Sequence, residues 1–497
     1  MADIPKLMGE YNPWWFGWSK VFETPCMQKY ENSKFKKEPG MLYRIMETID
    51  NDSLVTLSGL RQVGKTTLIH LIIAKLLRDK RVVPENILYF SCECLKEEKF
   101  SDLIDYYSQF RKDDKNRKYL FLDEICHIKN WSDEFLTLAN KGLLKDHSIV
   151  VSGSHAGEIK ESVERLPGRR GKGDSLDKVL APLKFCEFLE FAHPIVFSQI
   201  KNRLFELNLI KTKDKQAMFF SLFEGKIPES LIKLQQYQKF LDDALQEYFI
   251  CGGIPAVINE YKINNTLPTE KYSNYYGAIM GDIKKIKLKE EYSKQIIKAL
   301  LQMYSTQFSW NELKKRTEIV GSHNTVGPYI DGFSKLYLAN IVYQKSFDGD
   351  INYQKERKVY FHDPFLFSLF NLIFENPQDY FASQKLKLLN TEYQSKLAET
   401  IVYDHLCRFG FSLSPNDLFD PRTSIFFYRD SKDREIDFLL LSNGVVYPIE
   451  VKYQETINKS DYRGFHIFKK GIVISKNTLE TNDNFVSLPL SIFLMLI

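Results

Sequence analysis

The chain has 497 residues, of which 44% are hydrophobic and 27% are charged, and its formal net charge is +4. This composition supports several buried cores and three or four domains, and so mild a positive charge does not by itself indicate a nucleic-acid partner. The seven cysteines are scattered without a CxxC pair, which argues against a disulfide framework or a structural zinc site. Because the sequence has no long apolar run and no signal-peptide pattern, we expect a cytoplasmic protein that does not enter a membrane.

The first 50 residues are predicted to form a segment that docks on the rest of the protein. They carry three of the five tryptophans, Trp14, Trp15 and Trp18. So much apolar surface near a terminus has to be buried against something. We expect this segment to pack on the chain's own core, and a ligand site is the alternative.

Residues Gly59–Thr66 match the phosphate-binding pattern G-x-x-x-x-G-K-[ST] at every fixed position. An apolar run precedes the motif and a helical pattern follows it, as the motif requires. Backbone N–H groups of such a loop close around a phosphate at a helix N-terminus. Lys65 is expected to reach the β- and γ-phosphates of ATP, and the Thr66 hydroxyl is expected to hold Mg²⁺. The alternative, a surface glycine turn before a helix, is disfavoured by this context.

A second apolar strand, residues 119–124, ends in Asp123 and Glu124. Asp123 is expected to hold Mg²⁺, directly or through water, and Glu124 to polarise the attacking water as a catalytic residue. Ser152 and Ser154, at the end of a later predicted strand, lie where a polar residue could sense the γ-phosphate. Strands that alternate with helices indicate an α/β domain over residues 51–194, with a parallel sheet and its ligand at the carboxyl ends of the strands. The expected nucleotide-binding residues are Gly59, Arg61, Gly64, Lys65, Thr66, Thr67, Asp123 and Ser152.

An arginine-rich segment, residues 165–171, follows the fourth predicted strand. In oligomeric ATPases an arginine from this part of the fold reaches the neighbour's nucleotide site, where it stabilises charge on the transferring phosphoryl group. We expect Arg169 to be this catalytic arginine, with Arg170 as the second candidate. The chain would then work as a homo-oligomer, for example a hexameric ring. The alternative is a basic surface loop that contacts nothing.

The middle of the chain is predicted to be helical. Residues 195–290 are similar to the helical lid that follows an ATPase core, and a Gly-Gly-x-Pro turn at residues 252–255 separates two of its helices. The basic run Lys284–Lys289 closes this region. We expect this run to contact phosphates of DNA, and a solvated helix face is the alternative.

Residues 291–375 are predicted to form a winged helix-turn-helix domain. Ser309 has the position of an N-cap, residues 325–336 would form the recognition-type helix, and residues 339–343 a wing strand. Pro328 is tolerable only if that helix begins close to it. Domains of this kind often bind DNA, and many mediate only protein contacts.

The last predicted domain, residues 376–497, contains a β-hairpin over residues 437–450 with an Asn-Gly turn at its tip. Counting back from the tip places Asp437 opposite Glu450, with side chains about 5 Å apart on one face. Like charges placed opposite each other are destabilising unless a cation lies between them. The hairpin therefore suggests Mg²⁺ bound by Asp437 and Glu450.

Two further side chains are expected at this second site. Lys452 lies two residues after Glu450 and projects from the same face of the strand, where it could steady a water or the developing phosphate charge. Glu399, on a predicted helix upstream, could add a third carboxylate. The alternative is a solvent-facing strand that Lys452 neutralises.

Almost end to end, the chain resembles prokaryotic, largely archaeal, ATPases that pair an AAA_14-like core with a C-terminal DUF4143-like domain. The resemblance implies an α/β fold with a P-loop AAA+ core, a helical lid, a winged helix-turn-helix and a C-terminal α/β domain of the restriction-endonuclease type. The stretches that carry it are Gly59–Thr67, Leu120–Glu124, Trp131, Ser152–Ser154, Leu166–Arg169, Pro182–Leu183, Gly252–Pro255 and Tyr360–Pro364.

The C-terminal part of this family is similar to the PD-(D/E)xK nuclease fold. That likeness implies catalytic roles for Glu399, Asp437, Glu450 and Lys452, all of which are present here. One departure is Ile436, which stands where the nuclease pattern has proline.

These patterns favour an ATP-driven DNA-processing machine, which is an oligomeric Mg²⁺-dependent ATPase that binds double-stranded or branched DNA and carries its own metal-dependent nuclease. The alternative is a nucleotide-dependent switch whose winged helix and tail bind DNA or a protein without cutting. Turnover of ATP and cleavage of DNA distinguish the two.

Overall fold

The computed structural model describes residues 4–95, 99–111, 116–155, 159, 170, 176–320, 325–346, 353, 356–414 and 419–497. The chain forms two compact units, Met1–Ala181 and Pro182–Ile497. Each unit is built around its own β-sheet. In the described part of the chain, no helix is both long and apolar enough to span a lipid bilayer.

The first unit contains a five-stranded sheet in the order β2-β3-β4-β1-β5, with all neighbours parallel. Its central strands are apolar runs buried on both faces, as expected for parallel strands covered by helices. The predicted parallel sheet is therefore confirmed. The strands are β1 Leu54–Ser58, β2 Ile87–Ser91, β3 Lys118–Asp123, β4 His147–Gly153 and β5 Asp177–Val179.

Helices surround this sheet, and the longest described one, Lys65–Arg78, begins directly at the glycine-rich loop. It buries an almost continuous apolar surface, because leucine and isoleucine recur on every turn. The other helical segments described in this unit are Ile4–Tyr11, Pro13–Phe16, Trp18–Glu23, Pro25–Asn32, Gly40–Thr48, Pro84–Asn86, Cys92–Cys94, Phe100–Phe110, Ile125–His127 and Trp131–Asn140.

The tryptophan-rich N-terminal segment packs on the chain's own core, as expected. Trp14 and Trp15 both donate their indole N–H to the Ile87 carbonyl oxygen, at 3.2 and 2.9 Å. Asn12 donates to the Tyr89 carbonyl at 2.9 Å and accepts from the Tyr89 N–H at 2.7 Å. Because β2 is the edge strand of the described sheet, these bonds satisfy backbone groups on the side of β2 that faces away from β3.

The second unit begins with a helical region. The Gly-Gly-x-Pro turn separates two of its helices as predicted, the first ending at Cys251 and the next beginning at Pro255. The helical segments described in this unit are Phe185–Ala192, Pro194–Glu206, Thr212–Leu222, Glu229–Leu234, Gln235–Tyr237, Gln238–Cys251, Pro255–Asn264, Thr269–Lys285, Glu290–Gln302, Trp310–Lys315, Gly327–Lys335, Pro364–Glu375, Tyr380–Lys387, Thr391–Leu413, Pro421–Ser424, Lys459–His466 and Leu490–Leu496.

The second unit's sheet has eight strands in the order β12-β13-β11-β10-β9-β8-β6-β7. The predicted hairpin is confirmed, because Ser442 pairs with Val445 across an Asn-Gly turn with φ angles of 51° and 74°. The strands are β6 Ala339–Gln344, β7 Arg357–Phe361, β8 Ile425–Arg429, β9 Glu435–Ser442, β10 Val445–Val451, β11 Gly471–Ser475, β12 Glu480–Asn482 and β13 Phe485–Pro489.

The strand predicted as a wing is part of this larger sheet. β6 pairs antiparallel with β7, and its end pairs parallel with β8. Ser309 caps the helix Trp310–Lys315, with its Oγ accepting from the Glu312 N–H at 3.2 Å. Pro328 lies in the first turn of the helix Gly327–Lys335, where its missing N–H removes no hydrogen bond.

Candidate functional site

The strand order of the first unit brings the predicted nucleotide-binding residues to one edge of the sheet. β4 lies between β1 and β3, and all three strands are parallel. Their carboxyl ends therefore place the glycine-rich loop after β1 beside the acids after β3 and the serines at the end of β4. Such an edge is where open α/β sheets bind their ligands.

Two glycines shape the loop itself. Gly59 has a φ of +151°, and a Cβ at this position would lie 2.2 Å from the Leu180 carbonyl oxygen, so only glycine fits. Gly64 has a φ of +103° and directly precedes the helix that Lys65 begins. Arg61 and Thr67 lie within this loop and helix start, and both are half-buried.

Lys65 is buried, and its ammonium is bound to the loop from which it projects. Its Nζ donates to the carbonyl oxygens of Gly59 and Leu60 at 3.0 and 3.2 Å. It also donates to Ser154 Oγ at 3.2 Å. The ammonium therefore lies among oxygen atoms at the mouth of the loop, where phosphate oxygens could replace these partners.

Thr66 and Asp123 face each other at the predicted magnesium position. The Thr66 hydroxyl donates to Asp123 Oδ2 at 2.6 Å, and the Ser152 hydroxyl donates to Asp123 Oδ1. A hydroxyl and a carboxylate beside a phosphate loop are the hard oxygen ligands that Mg²⁺ takes. These residues fit a metal bound together with a nucleotide.

Tyr89 is a partner of Asp123 that the sequence analysis missed. Its hydroxyl donates to Asp123 Oδ2 at 3.1 Å. Burial, and then the charge of Asp123, raise the pKa of Tyr89, so the hydroxyl keeps its proton and acts as a donor. The only available signal was a tyrosine inside an otherwise apolar predicted strand, because a buried tyrosine needs a partner for its hydroxyl.

Glu124 lies one residue beyond β3 in a left-handed conformation with a φ of 52°, which is uncommon for a residue other than glycine. Its carboxylate accepts from Ser154 Oγ at 2.8 Å and from the Ser154 N–H at 3.4 Å. Ser154 also accepts from Lys65. The Ser154 hydroxyl is therefore hydrogen-bonded to both Lys65 and Glu124.

Only one of the two candidate arginines lies within the described residues. Arg169 lies outside the described residues. Arg170 donates to both carboxylate oxygens of Asp177, at 2.9 and 2.8 Å, and to the Leu54 carbonyl. Leu54 begins β1, so Arg170 lies at the opposite edge of the sheet from the loop. Its guanidinium is thus bound within its own chain, and its role as the second candidate stays a prediction.

In the second unit, the predicted cluster of acids and lysine comes together, with Asp437 and Glu450 buried and Glu399 and Lys452 partly exposed. Glu450 Oε2 accepts from the Asp437 N–H at 3.0 Å, which places Glu450 opposite Asp437 as the hairpin count predicted. Lys452 pairs with Glu450 Oε1. Glu399, on the helix Thr391–Leu413, accepts from the Tyr360 hydroxyl at 2.9 Å. The solvent-facing alternative is wrong, because Asp437 and Glu450 are only 7% and 4% exposed.

Lys358 is the member of this cluster that the sequence analysis did not find. It is fully buried, and its ammonium lies 3.0 Å from Asp437 Oδ1 and also contacts Glu435. It projects from β7, which is far along the chain from the hairpin. In the sequence Lys358 ends a charged run, residues 355–358, so its local pattern did not mark it as a buried residue.

The acids of this cluster differ in their tendency to ionise. Burial, and then the charge of Asp437, raise the pKa of Glu399 and of Glu450 to about 8. Burial opposes ionisation of Asp437 as well, but Lys358 and Lys452 outweigh it and lower the pKa of Asp437. Of these three acids, Asp437 is therefore the one that ionises most readily.

Two uncharacterized proteins of Methanocaldococcus jannaschii are similar to this chain. MJ1637 is 26% identical over 279 residues, which are 54% of this chain and 52% of that protein. MJ1544 is 24% identical over 463 residues, which are 90% of this chain and 86% of that protein. The chain thus spans about half the length of the first relative and most of the second.

Among solved structures, the Walker-type ATPase PABY2304 of Pyrococcus abyssi aligns with 67% of this chain and 95% of its own, at 15% identity and a TM-score of 0.41. The ORC1 protein of Aeropyrum pernix, solved in complex with DNA, aligns with 64% of this chain and 87% of its own, at 12% identity and a TM-score of 0.31.

Three family models match separate parts of the sequence. The AAA_14 model, an AAA domain, matches residues 51–189. Two domains of unknown function, DUF8612 and DUF4143, match residues 242–376 and 394–493. The first match contains the phosphate loop, Asp123 and Glu124, and the last contains the buried acids. The chain therefore carries an AAA domain of the P-loop ATPase type followed by a C-terminal DUF4143 domain.

Proposed function

We propose that this protein hydrolyses ATP at the edge of the first unit's sheet and uses the cycle to act on DNA. The observation that carries the proposal is the Thr66–Asp123 pair, with Lys65 and Glu124 beside it at the ends of neighbouring strands. These are the groups that phosphoryl transfer needs, namely a cation for the phosphates, ligands for Mg²⁺ and a carboxylate for the attacking water.

The roles follow from where each group lies. Lys65 would exchange its bonds to loop carbonyls for bonds to phosphate oxygens, and Thr66 with Asp123 would hold Mg²⁺, which offsets the negative charge of the phosphates. Glu124 would orient the attacking water. Because Ser154 contacts both Lys65 and Glu124, it is placed to link phosphate binding to the position of the carboxylate.

ATP turnover by the full chain, alone and with linear, forked and four-way DNA, tests this proposal. We expect Mg²⁺-dependent hydrolysis that at least one DNA form stimulates. Turnover no higher than that of a Lys65→Ala protein would contradict the ATPase assignment, and turnover that no DNA alters would contradict the role on DNA.

The DNA part of the proposal draws on the region from Glu290 to Phe361. Three helices are followed by the antiparallel pair β6 and β7, and Phe308, between the first two helices, bridges to Arg357 at the start of β7. This order of elements supports the predicted winged helix-turn-helix. Such a domain can place its third helix in the major groove of DNA.

The basic run next to this region gives a salt-dependent prediction. Lys284 pairs with Glu290 at 2.6 Å, and Lys285 lies 3.7 Å from Asp282, so these two are partly neutralised within the protein. Changing all four lysines at 284, 285, 287 and 289 to glutamine should weaken DNA binding and reduce the slope of log K against log salt by roughly 2.

Fluorescence anisotropy over a range of salt concentrations measures this slope. Lys233→Gln is the control, because Lys233 also lies on an exposed helix of this unit and pairs with Glu229. An unchanged slope in the four-lysine variant would assign the run to a solvated helix face.

We also propose a homo-oligomer in which Arg169 completes the neighbour's nucleotide site. Arg169→Ala should then lower ATP turnover by about a thousandfold with little change in nucleotide affinity, because the arginine stabilises charge that develops during transfer. Mixing this variant with Glu124→Gln protein should restore some activity if sites are shared. Undiminished turnover at every protein concentration would exclude the role.

For the C-terminal part, two functions are in competition, namely metal-dependent cleavage of DNA and binding without cleavage. The position of Lys358 beside Asp437 favours binding without cleavage, because its ammonium would repel a divalent cation at this carboxylate. Incubation of labelled DNA forms with Mg²⁺ or Mn²⁺, in each nucleotide state, separates them. Cleavage that Asp437→Ala removes while ATP hydrolysis survives would establish the nuclease instead.

A further inference from the structure

Lys358 is an unusual residue for the interior of a domain. It is fully buried, and an unpaired ammonium there would be strongly destabilising. The structure pairs it with Asp437 at 3.0 Å and with Glu435. The aromatic face of Phe427 lies 5.6 Å from the ammonium and adds a favourable cation–π contact.

The carboxylate oxygens that a metal would need already have partners. Asp437 Oδ1 accepts from Lys358, and its Oδ2 accepts from the Val451 N–H at 3.0 Å. Glu450 accepts from the Asp437 N–H through Oε2 and from Lys452 through Oε1. Each of the four oxygens therefore has one protein donor, and for Asp437 Oδ1 and Glu450 Oε1 that donor is an ammonium group.

This arrangement does not fit the magnesium site that the hairpin suggested. Mg²⁺ requires near-octahedral oxygen coordination at about 2.0–2.1 Å. Among the residues that the structure describes, no group of three or more His, Cys, Asp or Glu is placed to hold a metal ion. The ammonium groups of Lys358 and Lys452 would also repel a divalent cation at the same carboxylates.

We propose that Lys358 is the resident cation of this cluster and that the C-terminal sheet takes up no divalent metal. The repulsion between Asp437 and Glu450 that suggested a metal is relieved by Lys452 at Glu450 and by Lys358, from a distant strand, at Asp437. The ion pair between Lys358 and Asp437 then connects β7 with the hairpin strand β9. Its function is to stabilise the packing of these two strands. This role does not depend on whether the first unit hydrolyses ATP.

The first test is Mn²⁺ binding by the full chain carrying Asp123→Asn, which removes the metal ligand of the nucleotide site. Electron paramagnetic resonance of free Mn²⁺ counts the bound ions. We expect no stoichiometric Mn²⁺ at millimolar concentration. One ion per chain that disappears when Asp437→Asn is added would overturn the proposal.

The second test removes the ammonium. Lys358→Met, in the same Asp123→Asn background, keeps the length of the side chain and should lower the melting temperature by roughly 10 °C, because Asp437 and Glu435 lose their cation. Mn²⁺ should then raise the melting temperature of this variant only, since the acids can share a metal. Lys396→Met is the control, because Glu392, its ion-pair partner, is largely exposed, and it should change the melting temperature by less than about 2 °C.

The double variant Lys358→Met with Asp437→Asn keeps the proposal testable if Lys358→Met does not fold. It removes both charges of the pair and should regain much of the lost stability. A double variant no more stable than Lys358→Met would refute the pairing, and so would a Lys358→Met protein that melts at the parent temperature. A folded Lys358→Met protein that does not respond to Mn²⁺ would refute the claim that Lys358 replaces a metal.

Discussion

Glu124→Gln should lower ATP turnover by about a hundredfold or more while ATP still binds. Glutamine keeps the size of the side chain and can still accept from Ser154, which holds Glu124 at 2.8 Å. It loses the negative charge that draws a proton from the attacking water, and general-base groups of this kind contribute about 10²–10⁴-fold.

Lys65→Ala should act on nucleotide binding rather than on hydrolysis, and should abolish binding. It removes the ammonium that lies among the loop oxygens, while Gly59 and the helix that follows remain in place. Binding of a fluorescent ATP analogue and steady-state phosphate release separate the two effects. Asp133→Asn, at an exposed acid nine residues after Glu124, is the matched control and should behave as wild type. A Glu124→Gln protein with wild-type turnover would show that the catalytic assignment is wrong.

Asp363→Ala should destabilise the second unit by roughly 2–5 kcal/mol. Asp363 is fully buried and accepts from two backbone N–H groups, those of Gly253 and Phe365, each at 2.8 Å. Alanine would leave both donors buried without a partner, and each such group costs about 1–3 kcal/mol. The carboxylate also caps the helix Pro364–Glu375.

Urea denaturation followed by far-UV circular dichroism measures this loss, and hydrogen exchange of the Gly253 and Phe365 amides localises it. Asp363→Asn should lose less stability than Asp363→Ala, because the amide oxygen can still accept one of the two hydrogen bonds. Asp379→Ala is the matched control, since Asp379 caps an exposed helix through Ala382 at 2.9 Å and should cost about 1 kcal/mol. Equal effects of Asp363→Ala and Asp379→Ala would contradict the buried role.

The nucleotide site was predictable from the sequence because its parts are local. The fixed spacing from Gly59 to Thr66 places a turn directly before a helix, and an apolar run that ends in Asp123 and Glu124 places two acids at the end of a strand. The hairpin was predictable for the same reason, since an Asn-Gly turn sets the register of both of its strands.

Other features became visible only in the folded chain. The sequence predicted a Gly-Gly-x-Pro turn but did not show why its first residue, Gly252, has to be glycine. The structure shows the reason. Gly252 has a φ of +61°, and a Cβ there would lie 1.9 Å from Asp363 Oδ1, so a side chain would displace the buried carboxylate. The contacts of Tyr89 with Asp123 and of Ser154 with Lys65 likewise join residues 34 and 89 positions apart.

By itself, then, the sequence determined the ATP-binding loop, its acid partners and the pairing of Asp437 with Glu450, because each follows from the spacing of neighbouring residues along one or two elements. The tertiary structure alone decided which cation pairs with Asp437. Lys358 lies 79 positions before Asp437, and no local spacing can show which distant side chain will fill a buried space. Since burial makes any unpaired charge so destabilising, the identity of that one cation decides between a metal site and an internal ion pair.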